Sequence, residues 1–243
     1  MNYYYITGTS RGLGEALAMH FLNAAPNNKV IGISRSQSIE HKNYIHYAVD
    51  LGDPEMVRSF HFPPHHDAKR IILINNAGVI GMIKPIGKTS SGAIINNYNV
   101  NLIAPAILMN SFLETYSGSN AQKTILNVSS GAGKHPIEGW GNYCSSKAGI
   151  DMLSQVIAEE QKSVAPYPTL ILSVAPGVVD THMQEEIRSA SPNDFKRLNE
   201  FINYKIENQL AHPDIVAKKY AYILDHMDKF NGVLVSVKDI PEQ

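Results

Sequence analysis

A single cysteine, Cys144, stands among 243 residues, which excludes an intramolecular disulfide framework and any zinc or iron–sulfur site built from thiolates. No stretch approaches the roughly 18 to 20 apolar residues that a membrane-spanning helix needs. Charge is scarce and balanced: 18% of residues are charged and the formal net charge is −1, so no long-range field draws in nucleic acid or an anionic membrane. The opening run Met1-Asn2-Tyr3-Tyr4-Tyr5-Ile6-Thr7-Gly8 has neither the basic start nor the longer apolar core of a signal peptide, and a cytoplasmic location is expected. His61, His65 and His66 cluster around Pro63-Pro64 without a carboxylate at ligand spacing, so no metal is expected. Linkers, repeats and low-complexity tracts are missing too, and one domain over 1–243 is the economical reading.

Apolar residues make up 44% of the chain and fall into short runs at 3–7, 29–34, 45–50, 70–75, 123–129, 169–175 and 232–237. Each run is nearly continuous Ile, Val, Leu and Tyr rather than alternating, the pattern of strands buried on both faces of a parallel sheet. Between them the apolar residues take helical spacing, as at Leu13, Leu17 and Phe21 or Met152, Val156 and Ile157. Strand and helix in alternation predict a doubly wound α/β domain: a mostly parallel seven-stranded sheet with helices on both faces. Residues 1–120 would form the dinucleotide-binding half and 121–243 the catalytic half. Two segments break the rhythm. Residues 52–69 hold Pro54, Pro63 and Pro64 and leave room for only a short helix; residues 182–212 follow a strand's C-terminal end, where ligands bind, and are expected to form a substrate lid.

The first strand runs into Thr7-Gly8-Thr9-Ser10-Arg11-Gly12-Leu13-Gly14 and then a helix. Glycines there let the backbone approach a pyrophosphate, and the helix N-terminus offers free N–H donors with positive dipole charge. The second strand ends Ser34-Arg35-Ser36, with no carboxylate to hold a ribose 2′-hydroxyl. Arg35, and Arg11 inside the loop, can instead meet a 2′-phosphate, which favours NADP(H) as cofactor.

Tyr143 and Lys147 lie four residues apart at the start of a helix, so both can face one cleft. A phenol with a pKa of about 10 is a poor acid–base group at neutral pH, and a neighbouring ammonium favours its ionised form. A drop of roughly three units asks about 4 kcal/mol of the electrostatics. Thirteen residues upstream, Ser130 ends a strand where its hydroxyl can hold a carbonyl oxygen beside the phenol. No histidine–acid pair is at hand to make it a nucleophile.

Over nearly its whole length the chain resembles the short-chain dehydrogenase/reductases. The motifs are Thr7 to Gly14, Asp50, Asn75-Asn76-Ala77-Gly78, Asn101, Ser130, Tyr143 with Lys147, and Pro176-Gly177 through Thr181. The resemblance implies a Rossmann-type fold and assigns roles. Tyr143 would be the general acid, Lys147 would hold the nicotinamide ribose and lower the phenol's pKa, Ser130 would orient the carbonyl, and Asn101 would hold a relay water through a helix distortion. Asn99, two residues earlier, is its near double. The cofactor would lie against Ile6, Gly8, Ser10, Arg11, Gly12, Leu13, Gly14, Arg35, Asp50, Leu51, Asn76, Ala77, Gly78, Pro176, Gly177, Val179 and Thr181, besides Tyr143 and Lys147.

The stretches 143–153 and 175–184 are similar to the sepiapterin reductases. Ser129-Ser130-Gly131-Ala132-Gly133-Lys134 with Gly139-Trp140-Gly141 looks closer to the bacterial benzil reductases, which imply reduction of one carbonyl of an aromatic 1,2-diketone by NADPH to an (S)-hydroxyketone. The substrate would then touch Ser130, Trp140, Tyr143 and Met183, with Ile187, Phe195 and Phe201 closing the pocket. Homodimers or homotetramers are implied, built on the long helices 91–116 and 143–163. A pteridine reductase or a general short-chain alcohol dehydrogenase would share the catalytic residues; a non-enzymatic NADP sensor could dispense with Tyr143 and Lys147.

Overall fold

The computed structural model describes residues 1–240. Seven strands, β1 (Asn2–Thr7), β2 (Asn28–Ser34), β3 (Tyr44–Ala48), β4 (Arg70–Asn75), β5 (Gln122–Val128), β6 (Thr169–Ala175) and β7 (Leu234–Ser236), form one sheet in the order β3-β2-β1-β4-β5-β6-β7. Every neighbouring pair is parallel, so the sheet is wholly rather than mostly parallel. The chain leaves β1 toward one edge and returns to add β4 on the other side, which opens a crevice over the strand ends between them.

The helices are α1 (Gly12–Ala24), α2 (Pro54–Arg58), α3 (Ser91–Tyr98), α4 (Ala104–Thr115), α5 (Gly141–Gln161), α6 (His182–Arg188), α7 (Leu198–Ile206) and α8 (Pro213–Asp225). Continuous apolar runs sit well in such a sheet because successive side chains point to opposite faces and both faces are covered. Ile72 and Ile74 join Leu17, Phe21, Tyr220 and Ile223 of α1 and α8, whereas Ile71 and Leu73 join Leu108, Phe112, Ile150 and Ile157 of α4 and α5. A third, smaller cluster joins Trp140 and Tyr143 to Ile187, Phe195, Leu198 and Phe201 of the segment after β6.

Two local features follow from single residues. In 52–69 only the short α2 forms, with Pro54 at its start and the Asp53 carboxylate accepting from the Glu55 N–H at 2.9 Å. The helix expected over 91–116 is two, α3 and α4, joined by a wide π-type turn at Asn99–Ile103. No helix among the described residues is long and apolar enough to cross a membrane.

Candidate active site

A cavity of about 790 Å³ opens over the C-terminal ends of β1, β2, β4, β5 and β6. Its floor at one end is the loop between β1 and α1. Gly8 and Gly12 take φ of +73° and +62°, a region that costs a side chain but not glycine. The Thr7 hydroxyl accepts from the Asn76 and Ala77 N–H groups at 2.9 Å each and pins the loop to the end of β4. Arg11, the residue before α1, offers no side-chain cap, so the first N–H groups of the helix are left to a ligand.

Gly8, Ser10, Arg11, Gly12, Leu13 and Gly14 all line the cavity, and so do Arg35, Asp50, Leu51, Asn76, Ala77 and Gly78. So too do Pro176, Gly177, Val179 and Thr181. Ile6 does not. It shares its face of β1 with Tyr4, and its fully buried side chain belongs to the core under α1. Arg11 and Arg35 are exposed, and among the described residues neither has a carboxylate within 4 Å. The Asp50 carboxylate accepts from the Gly52 N–H at 2.9 Å.

At the other end, α5 starts at Gly141 and presents Tyr143 and Lys147 on consecutive turns of one face, both lining the cavity. The Lys147 ammonium lies 5.8 Å from the centre of the Tyr143 ring and donates to the Val128 carbonyl at 2.7 Å. Burial pushes the Tyr143 phenol up to about 12, against the pull of the Ser130 hydroxyl beside it, so the phenol is raised rather than lowered beside Lys147, contrary to the sequence expectation. Burial drives Lys147 down to about 8, with the Asp151 charge acting in the opposite sense. Ser130 follows β5 and accepts from the Ala132 N–H at 3.1 Å.

Asn101 sits in the wide turn, buried behind the cavity wall rather than in it. Its side-chain oxygen accepts from the Val79 N–H and its nitrogen donates to the Val79 carbonyl, both at 2.9 Å. Asn99 is distinct: its side chain donates to the Gly52 carbonyl at 2.9 Å.

Trp140, Met183, Ile187 and Phe201 line the cavity beyond Ser130 and Tyr143. The Trp140 ring meets Tyr143 edge-on at 5.6 Å and stacks on Phe195 at 5.4 Å. Phe195 is fully buried behind the tryptophan and is not part of the wall, which corrects its placement as a closing residue. His65 lies remote from the cavity, stacked on Tyr3 and 2.7 Å from the Tyr5 hydroxyl. Among the described residues no group of three or more His, Cys, Asp or Glu side chains could hold a metal.

A family model described as short chain dehydrogenase matches residues 2–192. The chain belongs to that family. This short-chain dehydrogenase is 38% identical over 255 residues to the benzil reductase ((S)-benzoin forming) of Bacillus cereus, covering 98% of this chain and 100% of the relative. It is 33% identical over 255 residues to the sepiapterin reductase of Meriones unguiculatus, covering 96% of this chain and 95% of that one. Among solved structures, a short-chain dehydrogenase/reductase of Saccharomyces cerevisiae superposes with a TM-score of 0.83 at 25% identity, over 98% of this chain and 97% of that one. Dehydrogenases of this family use nicotinamide cofactors. The glycine cradle and the uncapped start of α1 fit the pyrophosphate of such a cofactor.

The end of the cavity beyond Ser130 and Tyr143 also carries polar side chains that the sequence did not single out: His135, Gln184, Arg197 and Tyr204. Arg197 and Tyr204 lie four before and three after Phe201, so a helical stripe through Phe201 would have found them. Arg197 forks onto the Glu200 carboxylate at 2.7 and 2.6 Å, and Tyr204 donates to the same group. Those bonds hold Glu200 down at about 2.

Proposed function

We propose that this short-chain dehydrogenase is an NADPH-dependent carbonyl reductase that reduces one carbonyl of an aromatic 1,2-diketone such as benzil to an (S)-hydroxyketone. The observation that carries the reading is the meeting of Tyr143, Lys147 and Ser130 at the end of the cavity that Trp140, Ile187 and Phe201 make apolar. The 38% identity to a benzil reductase over almost the whole of both chains supports the choice of substrate. A second carbonyl withdraws electrons from the first and makes it a better hydride acceptor.

The cofactor supplies the hydride when bound. Ser130 donates a hydrogen bond to the carbonyl oxygen and fixes its direction. Tyr143 gives that oxygen its phenolic proton as the carbonyl carbon is reduced, so the product leaves as an alcohol and the tyrosine as a phenolate. A protonated phenol is what burial favours here, which suits an acid. Lys147 spends one of its three N–H donors on Val128, leaving two for ribose hydroxyls, and its charge stabilises the phenolate. The tyrosine would regain a proton through Lys147, the cofactor ribose and a water at the wide turn, whose place Asn101, held by Val79, fixes. Arg35 and Arg11 take the 2′-phosphate, and residues 182–212 act as the lid.

A second reading, reduction of a pteridine side chain as in sepiapterin, is favoured by one observation: the buried Gln184 side-chain oxygen, which has no hydrogen-bond partner among the described residues, stands on a wall where benzil would leave it unpaired. The protein works in the cytoplasm as a homodimer or homotetramer, on the exposed Ile95, Ile103, Met152 and Val156 of α3, the wide turn and α5. NADPH oxidation with benzil, sepiapterin and a simple aliphatic ketone, each repeated with NADH, tests the whole reading. Turnover of benzil with NADPH is expected; turnover confined to the aliphatic ketone or to NADH would overturn it.

A further inference from the structure

Asp151 lies one helical turn beyond Lys147 on α5, only 5% exposed, and serves none of the functions assigned above. Its carboxylate accepts one hydrogen bond, from the Ser173 hydroxyl of β6 at 2.6 Å. Among the described residues no cation comes within 4 Å of it. Lys147 is in the matching position: 4% exposed, with the Val128 carbonyl as its one protein acceptor. Each charge alone would be costly to bury with a single neutral partner. Side chains four apart on a helix have their β-carbons about 5–6 Å from each other, close enough for opposite charges to offset one another in a dry interior.

The neighbours offer no substitute. The other ionisable groups near the pair are Tyr143 and Cys144 on the same helix and Tyr220 on α8, whose hydroxyl donates to Val174. From β5, β6 and the wide turn come Val128, Ser173 and Asn101, none of them charged. The nearby polar chain from Asn75 through Asn127 to Ser154 ends on the Ile150 carbonyl and bypasses the carboxylate.

We propose that Asp151 is a positioning residue for Lys147: its buried negative charge, fixed by Ser173, keeps the lysine ammonium charged at the cleft. Burial drives the lysine down to about 8 even with Asp151 present, and Asp151 is the charged group that resists the fall. The charge coupling stands on this geometry; its consequence for turnover rests on the carbonyl-reductase reading.

The test follows Lys147 directly. In lysine-labelled protein without cofactor, the NMR signal lost in Lys147→Arg is titrated in the wild type, in Asp151→Asn and in Asp151→Glu. The Asn variant is expected to titrate about one pH unit or more below the wild type, and the Glu variant to return toward it. Should the amide unfold the protein, Asp151→Ser removes the charge with less bulk. An unchanged Lys147 midpoint in a folded neutral variant overturns the proposal. With NADPH and benzil, the alkaline limb of the kcat profile is expected to move to lower pH by the same amount with little change in KM. A moved midpoint with an unmoved profile removes Asp151 from catalysis. Absence of benzil turnover in the wild type counts against the reductase reading alone, and the titration still decides the coupling.

Discussion

Gly14 and Asn76 come so close that a β-carbon on the glycine would stand 2.4 Å from the Asn76 amide nitrogen, and 2.2 Å from the Gly8 carbonyl oxygen. The second contact is backbone and cannot swing aside. Gly14→Ala is therefore expected to lower stability by about 1–3 kcal/mol and to abolish dinucleotide binding by forcing the loop open. Gly92, inside α3 with no atom within 4 Å of where a methyl would stand, is the contrast: Gly92→Ala is expected to stabilise by about 0.4–1 kcal/mol. Urea unfolding and NADPH fluorescence titration measure both.

Tyr143→Phe removes a hydroxyl and leaves the ring against Trp140. Folding and NADPH affinity are expected to stay near those of the wild type, while kcat falls by about 10²–10⁴-fold. Turnover within a few-fold of wild type would take the proton-donor role away from the phenol.

Arg35 stands exposed at the end of β2, on the cavity wall. A charge-assisted bond to a phosphate is worth about 1.5–3 kcal/mol, so Arg35→Asp, which also repels the phosphate, is expected to cut the kcat/KM ratio of NADPH to NADH by about tenfold or more. Parallel kinetics with the two cofactors give the ratio, and an unchanged value would place the 2′-phosphate elsewhere.

How much of this the sequence disclosed depended on how local each cause was. Ile71 to Ile74 read as a doubly buried strand because every side chain finds a helix on its own face. Tyr143 and Lys147 needed only the helical repeat to share a cleft. The break at Asn99–Ile103 is held by Asn101 on Val79, 22 residues away, a contact no helical period encodes. Arg197 and Tyr204 reach the cavity because α7 docks against Trp140 through Phe201, so their role follows from tertiary packing. Ile6 is missing from the cavity wall for the opposite reason: strand parity, which is local, sends its side chain into the core. Asp151 passed for an ordinary residue between Ile150 and Met152 until the depth of α5 was known.

His65 gives a pH dependence away from the cleft. Burial lowers its pKa below the ordinary 6.5, with Asp67 opposing, and the neutral ring meets the Tyr5 hydroxyl. The folded state thus binds a proton less readily than the unfolded one. Its contribution is complete above about pH 6.5 and is lost as pH falls through that value toward the lower folded pKa. The urea midpoint is expected to drop between about pH 7.5 and about 5.5, and to drop less in His65→Gln, which keeps an acceptor for Tyr5 and does not titrate. Equal slopes in the two proteins would clear His65 of the effect.

Trp140 joins the apolar wall of the cavity to Tyr143, the proposed acid. Its ring forms a three-ring cluster with Phe195 at 5.4 Å and Phe201 at 5.3 Å, and its edge-on contact with Tyr143 fixes where the phenol points. Trp140→Ala would open a void costing about 3–5 kcal/mol and confuse specificity with unfolding. Trp140→Leu fills more of the space and removes the flat aromatic face while leaving Ser130 and Tyr143 in place. An aryl diketone should feel that loss and a small aliphatic ketone should not. The kcat/KM for benzil is accordingly expected to fall by about tenfold relative to that for the aliphatic ketone, since a lost aromatic contact is worth about 0.5–1.5 kcal/mol beyond its area. A parallel fall for both substrates would mean that the tryptophan acts by positioning Tyr143, and that the aryl group is recognised by other parts of the wall.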